Sequence, residues 1–314
     1  MKIEGTVDNP VKNLVFSGIR FSHSNWNLPS KTGVCFAQAG QYTVNIEGTN
    51  TQYFKRPESA ILVNFADNIK FEKNIFMNLG STGLDLYKGV SNSAVIGNIF
   101  YKISGNGISI AKFSEADESQ VVMYNPKDER EGCSDNRIAN NLITEVCDDY
   151  INTCGIAAGY PRGLLIEHNE IYNLPYSGVS VGWGWEDKPN FMTNNIIRWN
   201  HIYDVLKILC DGGGIYTLSR QPESEISNNY IHDIYRSHWA VGSLNNGIFL
   251  DQGSSGILLK KNVFRNIQEG NTRHNMTGEL KYVNNEYFDP ATIINAGLEK
   301  EFRYLLESPF IKNK

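Results

Sequence analysis

Residues 171–185 read IYNLPYSGVSVGWGW: an apolar pair, a Pro turn, the short strand Val179-Ser180-Val181, then two tryptophans set among glycines. The two-residue period of a strand sends Val179 and Val181 to one side and Ser180 to the other. Gly182 and Gly184 give Trp183 and Trp185 no apolar neighbours in sequence. Both rings therefore read as poor core material and as exposed aromatics on a rigid scaffold, common at binding sites. The first half of this stretch is repeated along the rest of the chain.

The repeat emerges when every Asn-x-apolar triplet is aligned. The triplets begin at Asn74, Asn98, Asn141, Asn169, Asn200, Asn229, Asn262 and Asn285, at intervals of 24, 43, 28, 31, 29, 33 and 23 residues. Most are followed by Gly plus an apolar residue: Gly83-Leu84, Gly107-Ile108, Gly155-Ile156, Gly178-Val179, Gly214-Ile215 and Gly247-Ile248. Apolar runs of three to five residues, rich in Ile, Val, Phe and Tyr and broken by Gly and Asn, exclude helical repeats. A minimum period near two dozen residues built from such pieces is one coil of a solenoid. The expected fold is all-β, a right-handed parallel β-helix of about ten coils over residues 1–288, with a short helical cap and tail over 289–314. Asn suits the bends, because it tolerates the left-handed conformation, and stacked Asn amides can bond from coil to coil.

Composition agrees. The 314 residues include 28 Gly and only 20% charged residues, and ten coils at about 4.8 Å spacing make a rod roughly 40–50 Å long. A net charge of −5 offers no basic stripe for nucleic acid. No apolar run reaches the roughly 18 residues of a membrane span. Met1-Lys2-Ile3-Glu4-Gly5 runs straight into coil-like sequence, without a signal peptide or an amphipathic cap. The expectation is the C-terminal part of a larger protein, extracellular or periplasmic if an export signal lies upstream, and monomeric. The five cysteines, 35, 133, 147, 154 and 210, lack metal-ligand spacing and are expected reduced, although Cys147 and Cys154 could pair.

In chain order, residues 1–50 are read as the first coils, with His23, Trp26 and Arg56 in loops as surface packing. Asp85 falls on the outward side of its strand, where a carboxylate is usually solvated. Lys112 to Asp135 carries seven acidic and three basic residues. It must leave the rod, either as a surface flap or as the wall of a cleft. From Cys154 to Gln252 the chemistry concentrates. Tyr160 and Arg162, the paired tryptophans with Glu186 and Asp187, Asp211 to Tyr216, and Asp251 each flank a strand that begins with Gly. Stacked coils place them on one side of the rod as a groove for a polysaccharide, with Trp183, Trp185, Tyr160, Arg162 and Tyr216 as the sugar-binding candidates. Of the tryptophans, Trp183 is expected to face the groove and Trp185 to pack against a neighbouring loop.

The segments DGGGIYT (211–217), YSGVSVGWGW (176–185), GIFLDQGSSG (247–256) and AGLEKEFRYLL (296–306) resemble the right-handed β-helix glycoside hydrolases of family 141. They are similar, more weakly, to the family 120 β-xylosidases. The resemblance covers essentially the whole chain. It implies hydrolysis of plant cell-wall glycans, of α-L-fucoside or xylan type, with catalytic carboxylates at Asp211 and Asp251.

The chemistry independently asks for a pair: one carboxylic acid to protonate the leaving oxygen, one carboxylate as nucleophile or base, and no metal or cofactor. Asp211, with three glycines after it, allows close approach of backbone and substrate; both aspartates also read as turn caps beside Gly. One obstacle is spacing. Asp211 lies three residues before Gly214 and Asp251 four after Gly247, about 23 Å apart along straight strands. Either the glycines swing Asp211 over the strand or Asp251 has another partner, with Glu186 first and Glu223 next. A polysaccharide lyase or epimerase, and a non-catalytic glycan-binding rod, are the competing readings. At the C-terminus, Asp289-Pro290 predicts an N-cap and first-turn Pro for a helix near 291–306 that covers the open end of the rod.

Overall fold

The computed structural model describes residues 1–45, 52–114, 123–285 and 288–312. The chain winds into a parallel β-helix whose three sheets hold ten, nine and eight strands, close to the ten coils expected. Glu286 and Tyr287 of the last triplet, and the segment 115–122 of the charged excursion, lie outside the described residues. The first sheet runs from Lys2–Glu4 through Ser59–Asp67, Thr82–Ser91, Ile108–Ile110, Ile156–Ala158, Val179–Val181, Gly212–Thr217 and Asn245–Leu250 to Thr272–His274. Its inward row, Ile61, Leu84, Ile108, Ile156, Val179, Ile215 and Ile248, is fully buried and in register from coil to coil. Like side chains stack on like elsewhere too: Phe76 lies on Phe100 with ring centroids 4.5 Å apart.

The Asn-x-apolar triplets form a continuous ladder. The side-chain amides of Asn74, Asn98, Asn141, Asn169, Asn200, Asn229 and Asn262 each donate to the Oδ1 of the next rung at 2.9–3.0 Å. That same Oδ1 accepts the backbone N–H of the preceding rung, as Asn229 does from Asn200. Each amide also donates to a backbone carbonyl of the second sheet, as Asn200 does to Ile166. The left-handed bend falls one residue earlier than the expectation placed it. Lys73, Gly97, Asn140, His168, Trp199, Asn228, Lys261 and Asn284 have positive φ, and the ladder asparagines do not. The bend thus tolerates varied residues, whereas the amide next to it must be Asn to supply both donor and acceptor.

Two parts of the chain depart from the expectation. Among the described residues, 25–45 and 52–58 are not coils. They form a helix, Leu28–Thr32, and a three-stranded antiparallel sheet, Cys35–Phe36, Tyr42–Asn45 and Gln52–Lys55, laid on the first sheet. The amide of Asn152 donates to the carbonyls of Ala37 and Gln41, and Trp26 packs edge-on against Tyr42 and Tyr150. The C-terminal segment forms the helix Pro290–Asn295, a 3-10 helix over Lys300–Glu307 and the short helix Pro309–Lys312, and does not cover the end of the rod. It runs back along the flank: Asn228 donates to Thr292, Gly297 to the carbonyl of Trp199, and Glu299 to Asn140. The reason is the outer face of the third sheet, where Ile99, Tyr101 and Leu142 present an apolar strip that Leu298 and Leu305 bury. The N-cap itself is as read, with Asp289 accepting from Ala291 N and Thr292 Oγ1. All five cysteines are free, with Cys133, Cys147 and Cys154 buried.

Replacing an interior rung tests the ladder. Asn200→Ala removes the acceptor of the Asn169 backbone N–H and the donors that Asn200 gives to the carbonyls of Ile166 and Arg198 and to Asn229 Oδ1. At roughly 1–3 kcal/mol for each buried unsatisfied group that finds no water, the loss should reach at least about 3 kcal/mol in chemical denaturation. An unchanged midpoint would show that inter-coil packing alone fixes the stack.

Candidate active site

The outward row of the first sheet reads Leu62, Asp85, Ser109, Ala157, Ser180, Tyr216, Phe249 and Arg273, each beside the next across the ladder. Small residues occupy its middle, and there the insertion of residues 25–58 is seated. Its side chains divide the face in two. Arg56 reaches one half and Gln38 the other.

In the half toward the C-terminus, Asp211 and Asp251 converge. Asp211 has φ 63°, and the hydroxyl of Tyr176 donates to its carbonyl at 2.7 Å. This left-handed bend, just ahead of Gly212–Thr217, turns the carboxylate over the sheet. Gly212 leaves room for the Tyr176 ring and Ser177, since a Cβ there would lie 2.6 Å from Ser177 Oγ. Asp251 follows the next strand, Asn245–Leu250, and is 6% exposed. Its Oδ2 accepts from the hydroxyl of Tyr216 at 2.5 Å and its Oδ1 from the amide of Asn275 at 2.8 Å. Gln38 bridges the pair, 3.5 Å from Asp211 Oδ2 through its amide nitrogen and 3.5 Å from the Tyr216 hydroxyl through its oxygen. The straight-strand separation therefore does not apply: both carboxylates lean inward from opposite strand ends toward one tyrosine.

Their surroundings differ. Half-burial pushes the Asp211 carboxyl above the usual carboxylate range, the negative charge of Asp251 pushes it further, and Ser243 and Arg273 partly offset this. Burial raises the Tyr216 phenol far up, so it remains a donor to Asp251. Arg273 donates to Ser243 and lies 4.5 Å over the ring of Phe249.

The other candidates are arranged differently. Glu186 is exposed and paired with Lys188 at 2.5 Å, and forms no side-chain hydrogen bond with Asp211 or Asp251. Glu223 sits in a left-handed bend of the second sheet. Tyr160 is wholly buried, its hydroxyl held at 2.5 Å by the carbonyl of Trp183, so it braces the site loop. Arg162 lies on a different face, paired with Glu129 at 2.8 Å and placed over Phe191. Trp183 is 1% exposed and Trp185 half-buried against Phe54 and Trp183, so Trp183 does not face a groove as expected, whereas Trp185 packs. Phe54, from the insertion, and Phe113, after Ile108–Ile110, pack edge-on against the Trp183 ring at 5.4 and 5.8 Å. Those neighbours lie far away in sequence, so the flanking Gly182 and Gly184 carry no sign of the burial. Gly182 itself is required, for a Cβ would lie 2.0 Å from the carbonyl of Leu218.

In the other half, a cavity of about 340 Å³ is lined by Trp183, Phe54, Phe113, Tyr87, Arg56 and Asp85. Asp85 is 2% exposed and not solvated, because Arg56 grips both its oxygens and also donates to Ser109 and to the carbonyl of Ala111. Phe113 and Ser114 make the start of the charged excursion a wall of this cavity. Residues missed by sequence reasoning are Gln38, Tyr176, Ser243 and Asn275. None lies in a Gly-apolar step, and only the coil register could have pointed to Asn275. Among the described residues no group of three His, Cys, Asp or Glu side chains gathers to hold a metal, and no described helix is long and apolar enough to cross a membrane.

Trp183→Ala should cost about 3–5 kcal/mol, the loss typical of a large buried aromatic. A thermal melt of the variant measures it, and a shift under about 2 °C would place the ring in a loose site able to accept ligand.

Comparison with known proteins follows this geometry. No curated protein matches the chain in sequence. Among solved structures, one described as a glycoside hydrolase superposes with a TM-score of 0.89 at 35% identity, covering 96% of this chain and 53% of that chain. This chain thus spans about half the length of that protein. PfbA, a surface adhesin of Streptococcus pneumoniae, is 12% identical, with a TM-score of 0.43 over 89% of this chain and 72% of that one. A periplasmic alginate epimerase is 12% identical, with a TM-score of 0.40 over 71% and 62%. At that distance neither bears on function. The family described as the right handed beta helix region matches residues 129–299. Those residues include both aspartates and the strands between them, and the chain belongs to the right-handed β-helix family.

Proposed function

We propose that the chain hydrolyses O-glycosidic bonds, with Asp211 as the general acid and Asp251 as the nucleophile or general base. One observation carries this reading: two carboxylates share one face of a rigid sheet in unlike surroundings. Asp211, half-buried beside a second negative charge, holds its proton to higher pH than an ordinary carboxyl. Asp251 receives two donated hydrogen bonds, which suit an ionised carboxylate that only accepts. Paired carboxylates with opposed surroundings are how such sites divide acid from base. The likeness to a solved glycoside hydrolase supports the class, and the family resemblance of the motif segments favours α-L-fucoside or xylan-type glycans.

In this mechanism the substrate bond lies over Tyr216. Asp211 gives its proton to the leaving oxygen while Asp251 meets the developing charge at the anomeric carbon or activates water there. Tyr216 and Asn275 fix the orientation of Asp251, so that little reorganisation accompanies the reaction. Chemistry of this kind asks for no metal.

A screen against aryl α-L-fucosides, aryl β-xylosides and xylan tests the class. Asp211→Asn should lower hydrolysis of natural glycans by about 10²- to 10⁴-fold, and a dinitrophenyl leaving group, which needs no proton, should recover much of it. Asp251→Asn should not recover. If Asp211→Asn keeps more than about a tenth of the activity on glycans, the acid lies elsewhere.

The pH profile follows from the raised carboxyl. Asp211 works protonated, so activity is full below its folded-state pKa and falls as pH rises through it. The alkaline limb of kcat/KM should therefore lie above the ordinary carboxylate range, near 4, and vanish in Asp211→Asn with the activated substrate. EDTA should leave the rate unchanged. Loss on chelation with recovery in Ca²⁺, and an ultraviolet-absorbing unsaturated product, would assign a lyase instead.

A further inference from the structure

The loop at residues 235–244 carries a second feature of the Asp211 side. Its tip is strongly apolar and exposed: Trp239 is 83% and Val241 94% accessible, with Tyr235, Leu244 and Ile208 also open. Isolated exposed apolar residues need no explanation, but a contiguous group on a monomer's surface marks an interaction site.

This loop is not slack. Arg236 reaches back into it, donating to the carbonyls of Ala240 at 3.1 Å, Gly242 at 2.9 Å and Ser243 at 2.8 Å. Glu269 pairs with the same guanidinium at 3.2 Å and accepts the backbone N–H of Asn245 at 2.7 Å. The amide of Asn245 also reaches the carbonyl of Leu209, two residues before Asp211. A clamp of this kind holds the exposed indole in one place and uses the local charges on one another.

The loop also ends at the candidate site. Ser243 hydrogen-bonds the Asp211 side chain and receives Arg273. Ser243 is four positions after Trp239, so the two Cα atoms lie within roughly 14 Å of each other, a distance of a few sugar units. The exposed tip residues Trp239, Val241, Tyr235 and Leu244, with Ile208, bear no formal charge. A flat aromatic fits the apolar C–H face of a neutral pyranose; of the basic groups in this loop, Arg236 is paired with Glu269 and His238 packs beside the indole at 5.3 Å.

We propose that Trp239 is the stacking platform of a sugar subsite on the Asp211 side, and that the substrate is a neutral oligosaccharide or polysaccharide continuing past the cleaved bond. The proposal rests on the hydrolase reading for the cleaved bond alone. The platform needs only the geometry of the loop. Trp183 and Trp185, the obvious aromatics in the sequence, are occupied in packing, and Trp239 takes the part expected of them.

Binding and turnover separate the two claims. Asp211→Asn protein, with and without Trp239→Ala, is titrated calorimetrically with xylohexaose, a fucosylated xyloglucan oligosaccharide and a polygalacturonate fragment. The expected result is binding of a neutral probe that weakens about tenfold in Trp239→Ala, with Trp239→Phe restoring most of it. In the active protein, the ratio of KM for the oligosaccharide to KM for an aryl monoglycoside should rise by a similar factor with kcat little changed. Equal affinity in Trp239→Ala, tightest binding of polygalacturonate, or no binding of either neutral probe overturns the proposal. So does a dimer in sedimentation that Trp239→Ala dissolves, for the rim would then be a self-interface. Trp239-dependent binding without hydrolysis would instead remove the hydrolase reading and leave the platform standing.

Discussion

Everything in this molecule hangs on register, and register is held by the buried asparagine ladder. A parallel strand slipped by one residue turns each inward side chain outward, so a stack of short strands needs an anchor in every coil. Each Asn gives a donor and an acceptor to its neighbours along the stack and a second donor to the sheet beside it. No apolar side chain could do this, because dispersion has no direction. The amides make slippage costly: an offset rung buries unpaired groups where no water reaches.

Fixed register is what creates a site. It lines up Asp85, Ser109, Ala157, Ser180 and Tyr216 on one face, with small residues in the middle. The insertion of residues 25–58 needs that shallow middle, and once seated it sends Arg56 to Asp85 and Gln38 to Asp211 and Tyr216. Asp85 shows how much depends on this contact. A carboxylate on the outside of a strand is cheap in water, but under the insertion it tolerates burial only because Arg56 meets it with a bidentate grip.

The sequence made the solenoid legible because each coil repeats the same local instruction: a bend, an amide, an apolar strand. The free cysteines and the Asp289 cap were equally readable, for both depend on near neighbours. Long-range contacts were not. The burial of Trp183 depends on Phe54 and Phe113, and the flank position of the C-terminal segment on apolar residues spread over distant coils. Asp211 and Asp251 stood out as candidates, yet their meeting was hidden because strand length alone holds them apart. The left-handed bend at Asp211 and the reach of Tyr216, neither visible as a spacing, bring them together.

That convergence also gives two identical side chains the unlike surroundings that the proposed division of roles requires. Nothing intrinsic distinguishes one aspartate from the other; the difference is supplied by position. Asp251, after its strand, receives a phenol from the preceding coil and an amide from the following one. Asp211, before its strand, has the edge of the insertion and a hydroxyl held by Arg273, and faces the charge of Asp251 across the tyrosine. Each partner comes from a different coil or loop, so a local substitution changes one contact while the register keeps the rest aligned. A solenoid is suited to this, because each coil contacts only its neighbours and site residues can vary coil by coil without disturbing the stack below.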